Sequence, residues 1–196
     1  QAEFALAAYS NLSPGMAFDN YVEALRDTGR GMSFSQATVF ANTYRVITQH
    51  TDATGLSATV FADADNNTYL AVRGTEASDI RDFATGVFDI MLFGSTKLHP
   101  QYNSLKAKVT EWLGNGTLSP TFTVTGHSMG GFLAAGLVDD PAFTDHVSHA
   151  YLYNAPGSGG FVGSFIDTVL GWMELAPVYD QSKISNIVAT AGPSPI

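Results

Sequence analysis

Thr123-Val124-Thr125-Gly126-His127-Ser128-Met129-Gly130-Gly131-Phe132 places a serine between two glycines as Gly-x-Ser-x-Gly, after a β-branched run and before small residues at helical spacing. A serine hydroxyl becomes a useful nucleophile when a base takes its proton, a carboxylate orients that base, and amide donors await the developing oxyanion. This segment supplies the hydroxyl and part of the amide donors. Where a strand turns that sharply into a helix, side chains two residues either side of the serine would collide. Gly126 and Gly130 remove those collisions, and Gly131 lets the helix lie close to the sheet. Ser128 is thereby held on a strained backbone at a helix N-terminus, where the Met129 amide can help bind an oxyanion. His127, the second motif position, is expected to point away from the nucleophile. The competing reading is a glycine-rich strand-to-helix turn with a solvated serine.

The elements that must position this turn follow from periodicity. Glu3 to Asn11, Ala17 to Asp27 and Ser35 to Tyr44 carry apolar residues at helical intervals, with Ser13-Pro14-Gly15 as a break. Val46 to His50, Ser57 to Ala62 and Thr68 to Arg73 read as strands, the last two joined through Asp63-Ala64-Asp65-Asn66-Asn67. Helices are then expected over Ile80 to Leu92, Tyr102 to Leu113, Gly130 to Val138 and Val162 to Met173. Strands are expected over Thr121 to Thr125, Val147 to Tyr153 and Lys183 to Ala189. Repeated strand–helix–strand units imply an α/β fold, a largely parallel sheet with helices on both faces behind an N-terminal helical segment. Ligand chemistry in such a fold sits at the carboxyl ends of the strands.

Set in that order, the motif and its neighbours resemble an α/β-hydrolase of the class 3 lipase type, a group that includes secreted bacterial lipases linked to calcium-binding repeats. Five segments between about Phe40 and Ala189 carry the resemblance. They are the serine motif, Tyr69-Leu70-Ala71-Val72-Arg73-Gly74-Thr75, Asp79-Ile80-Arg81-Asp82-Phe83, Leu98-His99-Pro100-Gln101-Tyr102 and Tyr151-Leu152-Tyr153-Asn154-Ala155-Pro156-Gly157. The resemblance implies that Thr75 gives the second oxyanion contact, that the residues from Asp79 onward open a lid, and that the protein is secreted. It also leaves calcium open near the lid, at Asp79, Asp82 and Asp89. Asp63, Asp65 and Asn66 lack the glycine and distant glutamate of an EF-hand loop and read as a solvated turn.

Phe83, Val87, Phe88, Ile90, Met91, Leu92 and Phe93 form an apolar stretch with Asp82 and Asp89 as its charges. One reading is a core-packed helix. The other is a flap that covers Ser128 in water and turns its apolar side toward lipid.

The triad is incomplete. In α/β-hydrolases the acid and then the histidine follow the serine in the chain. Of the five histidines, His50 and His99 precede Ser128, His127 belongs to the motif, and His146 and His149 enter the next strand at its amino end. None is placed as the base. Asp180 and Asp167 are the nearest carboxylates before the last strand, with Asp180 the candidate acid. Stopping at Ile196 just after that strand, the 196 residues read as a single hydrolase domain lacking its C-terminal part.

Composition excludes other classes. Charged residues make up 14% of the chain, against roughly 25% in soluble domains, and 45% are hydrophobic, which excludes disorder. With 9 Lys+Arg against 18 Asp+Glu, the net charge of -9 repels phosphate backbones and anionic headgroups, which argues against nucleic-acid partners. The absence of cysteine removes disulfides, thiolate metal sites and a cysteine nucleophile. No run of about 18 apolar residues suggests a membrane span, and Gln1 to Leu12 does not read as a signal peptide. The expectation is a serine carboxylic-ester hydrolase acting on lipid esters at a lipid–water interface, with no required cofactor and no metal residues assigned. The alternatives are a catalytically silent lipid-binding module, or an acyltransferase or thioesterase using the same serine.

Overall fold

The structure, a computed structural model, describes residues 1–26, 31–74, 87–153 and 181–187, without the side chains of 87–99 and 181. Three helices come first: α1 (Ala2–Ala7), α2 (Phe18–Arg26) and α3 (Phe34–Thr43). A capping box starts α3, the Ser33 hydroxyl accepting from the Gln36 amide while the Gln36 side chain accepts from the Ser33 amide. Strands β1 (Arg45–Thr51), β2 (Ser57–Ala62) and β3 (Thr68–Val72) follow. Helix α4 (Val87–Gly114), strand β4 (Phe122–His127), helix α5 (Met129–Asp139) and strand β5 (Val147–Tyr153) come next. A 3-10 turn (Gln181–Lys183) then leads into β6 (Ile184–Ile187).

The six strands lie in chain order. β1–β2 and β2–β3 pair antiparallel, while β3–β4, β4–β5 and β5–β6 pair parallel. Successive crossovers that step the same way along a sheet and keep one hand must pass on the same side, and α4 and α5 do share a face. Tyr102, Leu105, Val109 and Trp112 of α4 pack there with Phe132, Leu133 and Leu137 of α5 over Val60, Leu70, Val72 and Val124. The opposite face is covered by the N-terminal helices, through Phe4, Val22, Leu25 and Phe40 over Phe61 and Ala71. The alternation along β3 shows the division directly, with Leu70 and Val72 on one side and Ala71 on the other.

Two antiparallel steps leave β1 running the same way as β3, so the β1–β2 loop lies at the carboxyl edge of the parallel strands. Asp52 organises that loop, accepting from the Thr54 amide (2.8 Å), the Thr54 hydroxyl and the Ser104 hydroxyl of α4. Gln101 adds a bond to the Thr54 carbonyl at 3.0 Å.

Most expected elements are present to within a few residues, and β5 coincides with its expected span. The two helices expected over 80–92 and 102–113 are corrected. From Val87 the backbone is one helix through Pro100 to Gly114, while 80–86 lie outside the described residues. A proline removes one helical hydrogen bond and normally ends a helix. Here the stripe from Tyr102 to Trp112 secures the following turns to the sheet. The helix expected over 162–173 also lies outside the described residues.

Candidate functional site

At the end of β4 the chain makes the turn that the glycines suggested. Ser128 takes φ 52° and ψ -126°, a combination rare for a residue with a side chain. Its amide donates to the Tyr153 carbonyl at 2.9 Å, extending the β4–β5 ladder by one bond, and its carbonyl accepts from the Gly131 amide at 2.9 Å. Those two main-chain bonds hold the strained residue from both sides. The residue is half-buried, and its hydroxyl makes no capping bond to α5. Met129 is the first residue of α5, so its amide has no carbonyl partner within the helix and belongs to the positive end of the helix dipole.

A methyl group at Gly126 would sit 2.2 Å from the Gly130 carbonyl oxygen, which is the expected cross-turn collision. Gly130 answers to a different neighbour. A methyl there would meet the Val72 carbonyl oxygen at 2.4 Å, so this glycine lets the start of α5 touch the exit of β3. The next residue along that exit, Gly74, is packed just as tightly. A methyl on it would lie 2.5 Å from the His127 carbonyl oxygen and 3.1 Å from the Ser128 Cβ. The Arg73-Gly74 segment therefore runs directly beside the serine, and Thr75, which lies outside the described residues, is the next residue in the chain.

His127 is 4% exposed, and its Nδ1 is hydrogen-bonded to the Tyr9 hydroxyl at 2.7 Å. The other histidines with described side chains are engaged elsewhere. His50 Nε2 lies 3.2 Å from Asp52, His146 Nδ1 2.6 Å from the Pro120 carbonyl, and His149 Nε2 2.8 Å from the Ser185 hydroxyl. His50 shares a ladder row with Ala58, Val72 and Gly126, three strands away, which is about 14 Å at ordinary strand spacing. His149 lies opposite Thr123, four residues before the end of β4 at His127. The side chain of His99 and all of Asp167 and Asp180 fall outside the described residues.

Among the lid residues, Phe83 lies outside the described residues. Val87, Phe88, Met91 and Leu92 belong to the backbone of the first turns of α4. Asp79 and Asp82 lie outside the described residues, as does the Asp89 side chain. Asp63 is engaged by its own turn, accepting from the amides of Asp65 and Asn67, the Asn67 side chain and the Tyr69 hydroxyl. The Asn67 bond leads in holding its pKa below the usual value, against the opposing effect of burial. Among the described residues no three metal-binding side chains cluster, and no helix is long and apolar enough to cross a membrane.

Tyr9 has no motif around it, and only the fold brings it to the turn. Tyr153 is a second addition, since its carbonyl fixes Ser128. Burial, then Glu3 and Tyr151, raise the pKa of its phenol and keep it protonated.

A partly parallel sheet covered by helices on both faces, with a strained serine between a strand and a buried helix, makes this a mixed α/β fold with a sharp strand-to-helix serine turn at the carboxyl edge of its sheet. Among solved structures, lipase II from Rhizopus niveus is similar at a TM-score of 0.46 and 16% identity, over 95% of this chain and 69% of that one. No protein-family model and no curated protein matches the sequence.

Proposed function

We propose that the chain is a serine carboxylic-ester hydrolase of lipid esters, a triacylglycerol lipase or phospholipase A1. The backbone of Ser128 carries the reading: a serine held at φ 52° beside the β3 exit is costly to maintain unless its hydroxyl is used. Ser128 Oγ attacks the ester carbonyl and gives its proton to a general base, and the oxyanion is held by the Met129 amide and that of Thr75. Collapse breaks the ester C–O bond, and the alcohol leaves with the base's proton. Water then adds to the acyl-enzyme and releases the acid. No step needs a metal or an organic cofactor.

Lipid preference rests on the apolar run containing Val87, Phe88, Met91 and Leu92, at the end of α4 remote from its anchored turns. Replacing Phe88 and Leu92 with Ser is expected to depress hydrolysis of emulsified substrate far more than that of a soluble short-chain ester. Equal losses remove the lid from the account.

Four histidines bonded elsewhere favour a second reading, a catalytically silent lipid-binding module. Hydrolysis of p-nitrophenyl butyrate decides between them. Ser128→Ala is expected to lose at least about a thousandfold in kcat, as loss of a nucleophile does. Activity unaffected by that change, or none in either the parent or a carboxyl-extended version of it, contradicts the hydrolase.

A further inference from the structure

The N-terminal helices cover the sheet face opposite α4 and α5, yet one side chain of that layer reaches the serine turn. The hydroxyl of Tyr9 lies 2.7 Å from His127 Nδ1, and the two rings meet edge to face with centroids 5.7 Å apart. The point where a methyl on Gly74 would sit is 2.9 Å from the Tyr9 hydroxyl and 3.1 Å from the Ser128 Cβ. Tyr9 thus abuts both segments that converge on the serine, the exit of β3 through Gly74 and the exit of β4 through His127.

Tyr9 is not a loose tail. Its amide donates to the Leu6 carbonyl at 3.1 Å, which carries the last turn of α1 onward. The helix itself is fixed by Phe4, stacked on Tyr69 of β3 with centroids 4.7 Å apart.

We propose that Tyr9 is a positioning residue for Ser128. Its hydroxyl fixes the His127 ring, and through it the main chain immediately before the serine, at a set separation from the β3 exit. Ser128 and the Met129 amide follow β4 while the proposed second donor, Thr75, follows the β3 exit in sequence, and a misplacement of about 1 Å between such parts can cost about a hundredfold in rate. His127, buried and next to Ser128, is the lever. A rotation of its backbone that the strand would otherwise tolerate moves the serine directly.

The proposal rests on Ser128 acting as a nucleophile, and the test separates the two ideas. The rate of Ser128 phosphonylation by a fluorophosphonate, kcat and KM on p-nitrophenyl butyrate, and the thermal midpoint are measured for the parent, Tyr9→Phe, His127→Leu and the double variant. Tyr9→Phe keeps the ring and is expected to lower both the phosphonylation rate and kcat by about five- to tenfold, the scale of one hydrogen bond, with KM within about twofold. The double variant is expected to be no slower than His127→Leu, because the two changes break the same bond. A parent that reacts while Tyr9→Phe reacts at the same rate overturns the positioning role. So does a Tyr9→Phe variant whose only change is a lower thermal midpoint, which is what a purely structural bond would give. A parent that does not react, either as the 196-residue chain or with a carboxyl extension, overturns both this role and the hydrolase reading.

Discussion

On the α1–α3 face of the sheet the ring of Phe4 touches those of Phe40, Tyr44, Phe61 and Tyr69, at centroid distances from 4.6 to 5.4 Å. On the opposite face α5 is buried along all eleven of its residues, and glycines bring its first turn against backbone atoms of β3 and β4. The first face is filled by large rings, which can repack around a change. The second is set by main-chain distances near the van der Waals limit, which cannot. A strained serine needs the second kind of support, because soft neighbours would let its backbone relax.

Substitutions on the two faces should therefore fail differently. The largest effect is expected from Gly126→Ala, which drives a methyl into a carbonyl that only a backbone shift can relieve. A loss of more than about 4 kcal/mol, or no folded protein, is predicted in urea unfolding. Phe4→Ala on the aromatic face empties a cavity and should cost about 3–4 kcal/mol by the same measurement. Phe40→Leu, nearly conserving volume, should cost less than about 1.5 kcal/mol. A tolerated Gly126→Ala would erase the contrast.

This contrast also marks what could be read in advance. The serine motif announces its strand and helix because the required residues are contiguous, and Gly126 and Gly130 were legible as spacers. The role of Gly130 against Val72 was not, since it depends on which strand lies beside β4. The alternation of Leu70, Ala71 and Val72 gives a strand buried on both sides without saying which helices cover which side. Pro100 misleads because its local preference is overridden by the buried stripe after it. Tyr9 was invisible for the plainest reason: 118 positions separate it from His127.

Smaller effects sharpen the comparison at the edges of the rigid face. Ser104→Ala removes one clasp between α4 and the β1–β2 loop and should cost about 1–2 kcal/mol. Burial raises the pKa of Asp52, but the bonds from Ser104, Thr54 and His50 outweigh it and leave the carboxyl well below its ordinary 3.8. A carboxyl depressed in this way stabilises the fold fully above that ordinary value and loses its contribution as pH falls toward the folded-state pKa. Urea midpoints should fall below about pH 4, and Asp52→Asn should be weaker than the parent at pH 7 while converging on it in acid. The smallest change is expected from Val39→Ser on the exposed side of α3, within about 0.5 kcal/mol of the parent.

The central claim is that the strained backbone of Ser128 serves a reactive hydroxyl, and covalent capture tests it most directly. The 196-residue chain and a carboxyl-extended version of it are treated with a fluorophosphonate and the modified peptide is located by mass spectrometry. The prediction is a single adduct on Ser128, absent from Ser128→Ala. No adduct in either form, or an adduct on another residue that survives Ser128→Ala, would contradict it.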